Sequence, residues 1–483
     1  MEIIANNDKI IIKNITDELK NIIVEELVYT DKSKQYQLKR LGQTTWGLRS
    51  LQYKQLQSEI HGSLYEIKPD GSYEISSCFF DMLMDSSSDV STRYFESLFT
   101  GLGSSITDNR KETGKTISLP WVNKLSDLRP YQEECVETML SKQRGLINLA
   151  TGLGKTLLVI HFIKRYKKKA LIICPGESVA QQFYEQLVQA FGKNKVGLFG
   201  GGKKQIADIT VGIAASVCKA VDQFKKAELG VIIIDETHHT PANTFFDIAV
   251  GLADTGKIFG LTATDYRSDG KDLMITAGCG PVIAKRDIKW GIANGWLAEP
   301  FFIVREIKTG AKDFKNDKLK SYKAHVLNCQ SMKDRIRSDA EKMMALGKSV
   351  LILVDEVAHG KELSEQLKVP FATGLDKNSQ EYVNQLNAGK VKGLVGTDGK
   401  IAEGTDTRNV DVLILANFAG SKGPVIQAVG RALRKTPTKD KCLILDYILV
   451  DSTMLGRHGL NRVSYYKDIT TKIKIIKLDD PTD

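Results

Sequence analysis

From residue 121 onward, short β-branched apolar runs alternate with helix-like stretches. The runs at 146–149, 170–174, 209–213, 231–234 and 258–261 form one series. A second begins near Phe301 and includes 349–354, 393–395, 410–415 and 441–445. Uninterrupted apolar runs are what strands covered on both faces require, and strands alternating with helices predict parallel sheets. The expected fold class is therefore α/β, with two parallel-sheet lobes in tandem and a break between Trp296 and Lys308.

The first 120 residues follow a different pattern. Apolar alternation over 9–15 and a turn signal at Pro69-Asp70-Gly71, flanked by 64–67 and 73–75, predict a small α+β module. The stretch 85–118 is rich in Ser, Thr and Gly apart from aromatic residues around 94–99, and reads as a mobile connection. The expected organisation is an accessory, substrate-recognising module at 1–120, lobes at 121–300 and 301–450, and a tail at 451–483 packed on the second lobe.

Charge changes this picture modestly. Residues 1–120 hold 14 basic and 17 acidic side chains, which leaves 54 against 41 for the remainder and concentrates the net charge of +10 there. That excess suits a polyanionic partner, although solubility alone accounts for it equally well. No apolar run is long enough for a membrane span and the start lacks signal-peptide order, so a cytoplasmic setting is expected, the host cytoplasm if the protein is viral. The seven cysteines are scattered without a CxxC pair, which indicates neither a zinc site nor a disulfide frame.

The stretch LATGLGKT at 149–156 follows an expected strand and opens an apolar-periodic helix, the setting a phosphate-binding loop requires. Glycines such as Gly152 and Gly154 let backbone N–H groups curl around phosphate oxygens beside Thr151. Lys155 is expected to meet the β- and γ-phosphates of ATP, and Thr156 to hold Mg²⁺. Three lookalikes read as ordinary turns: Gly114-Lys115-Thr116 has no strand before it, Gly347-Lys348-Ser349 precedes a strand, and 372–377 puts Asp376 at the essential glycine.

The run VIIIDETHH at 231–239 is a buried strand ending in two carboxylates, about where parallel sheets place ligands. Asp235 can face Mg²⁺, Glu236 can orient and deprotonate the attacking water, and His238 can link the nucleotide to the other lobe. At 427–434, QAVGRALR puts Gln427, Arg431 and Arg434 along one expected helical face, where planar cations could neutralise charge on a transferring phosphoryl group.

With these residues assembled, the chain resembles the superfamily 2 helicases over roughly 121–465. Leu128-Arg129-Pro130-Tyr131-Gln132 looks like their adenine-reading motif, which implies nucleotide contacts from Arg129 and Gln132. Gly260 to Gly270 is similar to their coupling motif, with Thr262 and Thr264 linking hydrolysis to movement. The segment 396–406 looks like their fifth motif, in which Thr397 touches the nucleic-acid backbone while Gly404 and Asp406 serve the nucleotide. The resemblance further implies RecA-like lobes, with DNA contacts from Pro175 and Ser216. The LTATxxRxDG run, the QxxGRxxR form and the ending at 456–466 are closest to DNA translocases, restriction-enzyme motors and phage branch-migration helicases of the UvsW type.

The expected activity is thus an ATP-dependent, monomeric DNA helicase or translocase acting on branched or forked DNA in replication, recombination or repair. Rival readings are an RNA-directed remodelling ATPase, a restriction-type motor subunit, and a nucleotide-gated DNA clamp without turnover. No PD…(D/E)xK nuclease pattern accompanies the motor motifs, and retention of Glu236 and Arg434 argues against a clamp.

Overall fold

The computed structural model describes residues 1–30, 34, 35, 37, 61–80, 105–237, 242–263, 272–315, 317–374, 376, 378–399 and 407–478. They fall into two compact units, Met1–Leu149 with Gly154–Lys285, and Ala150–Leu153 with Arg286–Asp483. No helix among the described residues is long and apolar enough to cross a membrane.

In the first unit, the N-terminal strands are β1 (Glu2–Ala5), β2 (Lys9–Lys13), β3 (Val28–Thr30), β4 (His61–Ser63), β5 (Tyr65–Ile67), β6 (Tyr73–Ser76) and β7 (Ser105–Asp108). Five make a sheet in the order β5-β6-β2-β1-β7, while β3 pairs with β4. Alternation buries Ile3, Ala5, Ile10 and Ile12 on one face, with Leu19 and Ile23 of the helix Asp17–Glu26 in the same core. The turn between β5 and β6 forms where Pro69-Asp70-Gly71 predicts it. Gly71 takes φ +79°, and Asp70 Oδ1 accepts hydrogen bonds from the Ser72 backbone N–H and hydroxyl.

One expectation fails here. Ser105–Asp108 lies inside the stretch read as a connection, yet it pairs parallel with β1, Ile106 opposite Ile3. All four of its residues are exposed, so no apolar pattern marks the strand; a long-range backbone ladder makes it.

The larger sheet of this unit contains β8 (Arg144–Leu149), β9 (Ala170–Cys174), β10 (Val196–Gly200), β11 (Lys203–Lys204), β12 (Ile209–Ile213), β13 (Val231–Ile234), β14 (Lys257–Thr262) and β15 (Val282–Arg286). Their order is β11-β10-β12-β9-β13-β14-β8-β15, with parallel pairing from β10 to β8. All five strands expected from the apolar runs are present. The partly exposed edge strand β15, sequence VIAKR, lacks the run that reveals the others. Arg144, at the start of β8, is buried and donates to the carbonyls of Asn7, Ala253, Thr255 and Gly256, tying the N-terminal module to the larger sheet.

The second unit is a parallel sheet of β16 (Glu299–Ile307), β17 (Val350–Val354), β18 (Phe371–Ala372), β19 (Gly393–Thr397), β20 (Val412–Ala416), β21 (Lys441–Leu449) and β22 (Ile473–Ile476). The order is β18-β19-β17-β20-β21-β16-β22. The expected α/β class with two parallel lobes is therefore the observed one. After β21 the helix Thr453–Ile469 is pinned by Arg462, whose guanidinium is fully buried against Asp446. Tyr466 of the same helix stacks on Phe302 of β16 with ring centroids 4.1 Å apart.

Candidate nucleotide site

The first unit sets its expected site residues at the carboxyl ends of parallel strands, where chain reversals leave room for a ligand. Residues 149–156 leave β8 and enter the helix Lys155–Tyr166. Gly152 and Gly154 have φ of +92° and +81°, left-handed values that a side chain at either position would resist. A Cβ on Gly154 would also lie 2.4 Å from Gln132 Nε2. The loop can therefore curl tightly, and Thr156 stands in the first turn of the following helix.

Gln132 is buried at the start of the helix Pro130–Ser141. Its Oε1 accepts from the Arg129 backbone N–H at 2.9 Å, and its Nε2 donates to Gly154 O at 3.3 Å. The amide thus braces the loop against the preceding helix, while Arg129 reaches the Tyr131 hydroxyl at 3.1 Å.

Lys155 Nζ lies 3.3 Å from Glu236 Oε1 and donates to Leu149 O at 3.3 Å, with only 11% of its side chain exposed. Asp235 and Glu236 follow β13 directly. The Asp235 backbone N–H extends the ladder to Ile173 O, whereas Glu236 breaks it with φ +47°. A non-glycine residue in that region marks backbone held in place by its surroundings. The reversal continues to Thr237, whose N–H bonds Leu261 O, next to the buried Thr262 that closes β14. Cys174, at the end of β9, is fully buried, and burial followed by the charges of Asp235 and Glu236 pushes its thiol pKa well up. It stays a neutral thiol beside the carboxylates. Nothing in its sequence context separates it from the other scattered cysteines.

The donor set suits a magnesium nucleotide. The left-handed backbone at Gly154 leaves space beside Gln132 that a Cβ would fill. Thr156 and Asp235 offer hard oxygen ligands, few enough to leave room for phosphate oxygens and water around Mg²⁺.

Pro175 follows β9 and Ser216 lies in the short helix Ala214–Cys218 after β12; both are half-buried. His238 and Thr264 lie outside the described residues, as do Gly404 and Asp406.

In the second unit Thr397 ends β19. Gln427 and Arg431 are buried on the helix Lys422–Ala432, but Arg434 is not on that helix. This corrects the expected single helical face. The helix stops at Ala432; the Ala298 N–H donates to Leu433 O at 2.8 Å, and Arg434 forms an isolated antiparallel bridge with Leu297. Pro437 explains why no further turn forms, because it lacks an N–H donor and disfavours helical backbone at Thr436.

Residues 125–267 match the family described as type III restriction enzyme, res subunit. The chain is 26% identical to IRC3 of Saccharomyces cerevisiae over 359 residues, 66% of this chain and 51% of IRC3. It therefore spans about half the length of that relative. It is 25% identical over 387 residues to the ATP-dependent DNA helicase uvsW of Enterobacteria phage T4, covering 72% of this chain and 76% of uvsW. In fold it is similar to the ATP-dependent type ISP restriction-modification enzyme LlaBIII bound to DNA, with TM-score 0.56, 14% identity, and coverage of 81% of this chain and 34% of that one.

Proposed function

We propose that this chain, in sequence and fold a relative of the superfamily 2 helicases, is an ATP-dependent DNA helicase or translocase that works on branched or forked DNA. The carrying observation is Lys155 Nζ standing 3.3 Å from Glu236 Oε1, beyond the ends of β8 and β13. A phosphate-binding cation and a carboxylate able to activate water stand side by side, next to a loop shaped by two left-handed glycines.

In this reading, backbone N–H groups after Thr151 and the start of the helix Lys155–Tyr166 cradle the phosphates, and Lys155 exchanges Glu236 for phosphate oxygen. Glu236, released, orients the attacking water and accepts its proton. Thr156 and Asp235 would hold Mg²⁺, which would supply charge neutralisation to the bound nucleotide. Arg129 and Gln132 serve the base, and Gln427, Arg431 and Arg434 of the second unit serve the transferring phosphoryl group, with His238, Gly404 and Asp406 assisting. Thr262 and Thr264 couple hydrolysis to motion, while Pro175, Ser216 and Thr397 contact the DNA backbone. The protein acts as a monomer. The basic excess beyond residue 120 supports a polyanionic track, and the name of the phage T4 relative supports DNA as that track.

The test compares ATP hydrolysis and strand displacement on single-stranded, duplex, forked and four-way DNA and on single-stranded RNA. Branched DNA should stimulate most, and Lys155→Ala should abolish the stimulated rate. Full stimulated activity in that variant refutes the ATPase assignment, and stronger stimulation by RNA refutes the DNA assignment.

A further inference from the structure

Five residues beyond Arg434 the chain brings back a lysine that no motif claims. Thr436-Pro437-Thr438-Lys439 closes a turn in which the Lys439 N–H donates to Thr436 O at 3.1 Å, with proline at the second position, where its fixed φ favours the reversal. The turn returns Lys439 beneath the end of the helix Lys422–Ala432, where it is 2% exposed.

A helix leaves its last carbonyls without intrahelical partners, and a glycine in the left-handed conformation often completes the cap. No glycine follows this helix: Leu433 occupies the cap with φ −84° and ψ 4°. The Lys439 ammonium takes the glycine's place. Its Nζ donates to Ala432 O at 2.5 Å and to Arg408 O at 3.4 Å, so it joins the end of the arginine-bearing helix to the chain leading into β20. That second segment is itself fixed, because the Arg408 N–H donates to Asn387 Oδ1 at 2.9 Å. Burial lowers the Lys439 pKa; Cys442 and Asp411 oppose the shift, and Arg434 adds to it.

We infer that Lys439 is a positioning residue for Arg434, clamping the end of the helix that leads to it to the segment at Arg408. Arg434 is then held from two directions. Its backbone bridges Leu297, and the Lys439 clamp fixes the helix end two residues before it. A buried ammonium between two carbonyls is directional and resists sliding, which suits a cation that must meet charge developing on a phosphoryl group.

The inference rests on the ATPase reading above, and its test separates the two. Lys439→Met, Lys439→Arg, Arg434→Ala and the Lys439→Met/Arg434→Ala double variant are compared in the full chain. The assays are steady-state DNA-stimulated hydrolysis and binding of ADP with and without aluminium fluoride. Lys439→Met should lower kcat by about 10- to 100-fold, the scale of a small misplacement of a reacting group. KM and ADP affinity should be unchanged, and the extra affinity conferred by aluminium fluoride should be lost. Lys439→Arg keeps the cation with altered donor geometry; it should fold and give an intermediate kcat, which carries the test if the methionine variant fails to fold. The double variant should be no slower than Arg434→Ala. Wild-type kcat in Lys439→Met, or multiplicative losses in the double variant, overturns the inference. So does a wild-type kcat in Lys439→Arg where the methionine variant does not fold. Wild-type turnover in Arg434→Ala would instead overturn the assigned role of that arginine.

Discussion

Replacing Arg462 with methionine isolates one buried contact on which the second unit depends. Arg462 and Asp446 are both fully buried, with Nε and one terminal nitrogen of the guanidinium 2.8 and 2.9 Å from the carboxylate oxygens. The same guanidinium donates to Ala419 O and Tyr447 O, so one side chain joins the tail helix, the end of β21 and the chain after β20. Asp446 also accepts from the Tyr466 hydroxyl at 2.7 Å and the Tyr447 N–H at 2.7 Å. Methionine keeps the volume but leaves a buried carboxylate with two neutral donors. Breaking such a pair costs about 3–5 kcal/mol. At about 1.4 kcal/mol per factor of ten, amide protection in β21 and the helix Thr453–Ile469 should fall roughly a hundred- to several-thousand-fold. Hydrogen exchange read by mass spectrometry measures it without requiring the whole chain to unfold in one step. Adding Asp446→Asn removes the stranded charge while keeping an acceptor, so the double variant should be more protected than Arg462→Met alone. A single variant less than about tenfold less protected, or a double variant worse than the single, refutes the argument.

Gly154→Ala forces a side chain into left-handed backbone at about 1–2 kcal/mol and drives its Cβ against the Gln132 amide, so fluorescent-nucleotide affinity should fall more than tenfold; unchanged affinity contradicts the loop geometry. Glu236→Gln should retain ATP binding while phosphate release slows by about 10²–10⁴, the contribution of a positioned base; release at the normal rate removes Glu236 from that role. His359 is fully buried against the Tyr322 hydroxyl, and burial lowers its pKa from 6.5 to about 4. The unfolded chain then binds the extra proton first, so this contribution is complete above pH 6.5 and is lost as pH falls towards 4, up to about 3 kcal/mol. Denaturant midpoints of the second unit should drop across that window, and His359→Asn should flatten the drop; an equal slope in the variant rejects it.

Much of this chain is legible because its information is local. The strands β9, β12 and β13 occupy the residues their apolar runs predict, since a strand covered on both faces must be apolar throughout. The proposed phosphate loop is equally local: strand, glycines, lysine and helix follow one another within a dozen residues. Arg434 illustrates the limit of that kind of reading. Its spacing from Gln427 fits a helical face, yet the Leu297–Ala298 segment captures the backbone at 433–434 and Pro437 blocks another turn. Periodicity states which residues could share a face, not where a helix is interrupted by a partner more than 130 positions away.

By itself, then, the sequence determined the two parallel α/β lobes, the strand, glycines and helix of the proposed phosphate loop and the carboxylates after β13, because backbone preference and burial act over a few neighbouring positions. Tertiary structure alone decided the strand Ser105–Asp108, which is exposed throughout and is held by a ladder to β1. It also decided the fate of the buried cations. No local pattern marks Arg144, Lys439 and Arg462 for burial in a chain with 68 lysines and arginines; they become internal ties because distant carbonyl and carboxylate groups converge on them. A charge can be buried only where such partners meet it, and their meeting is a property of the folded chain.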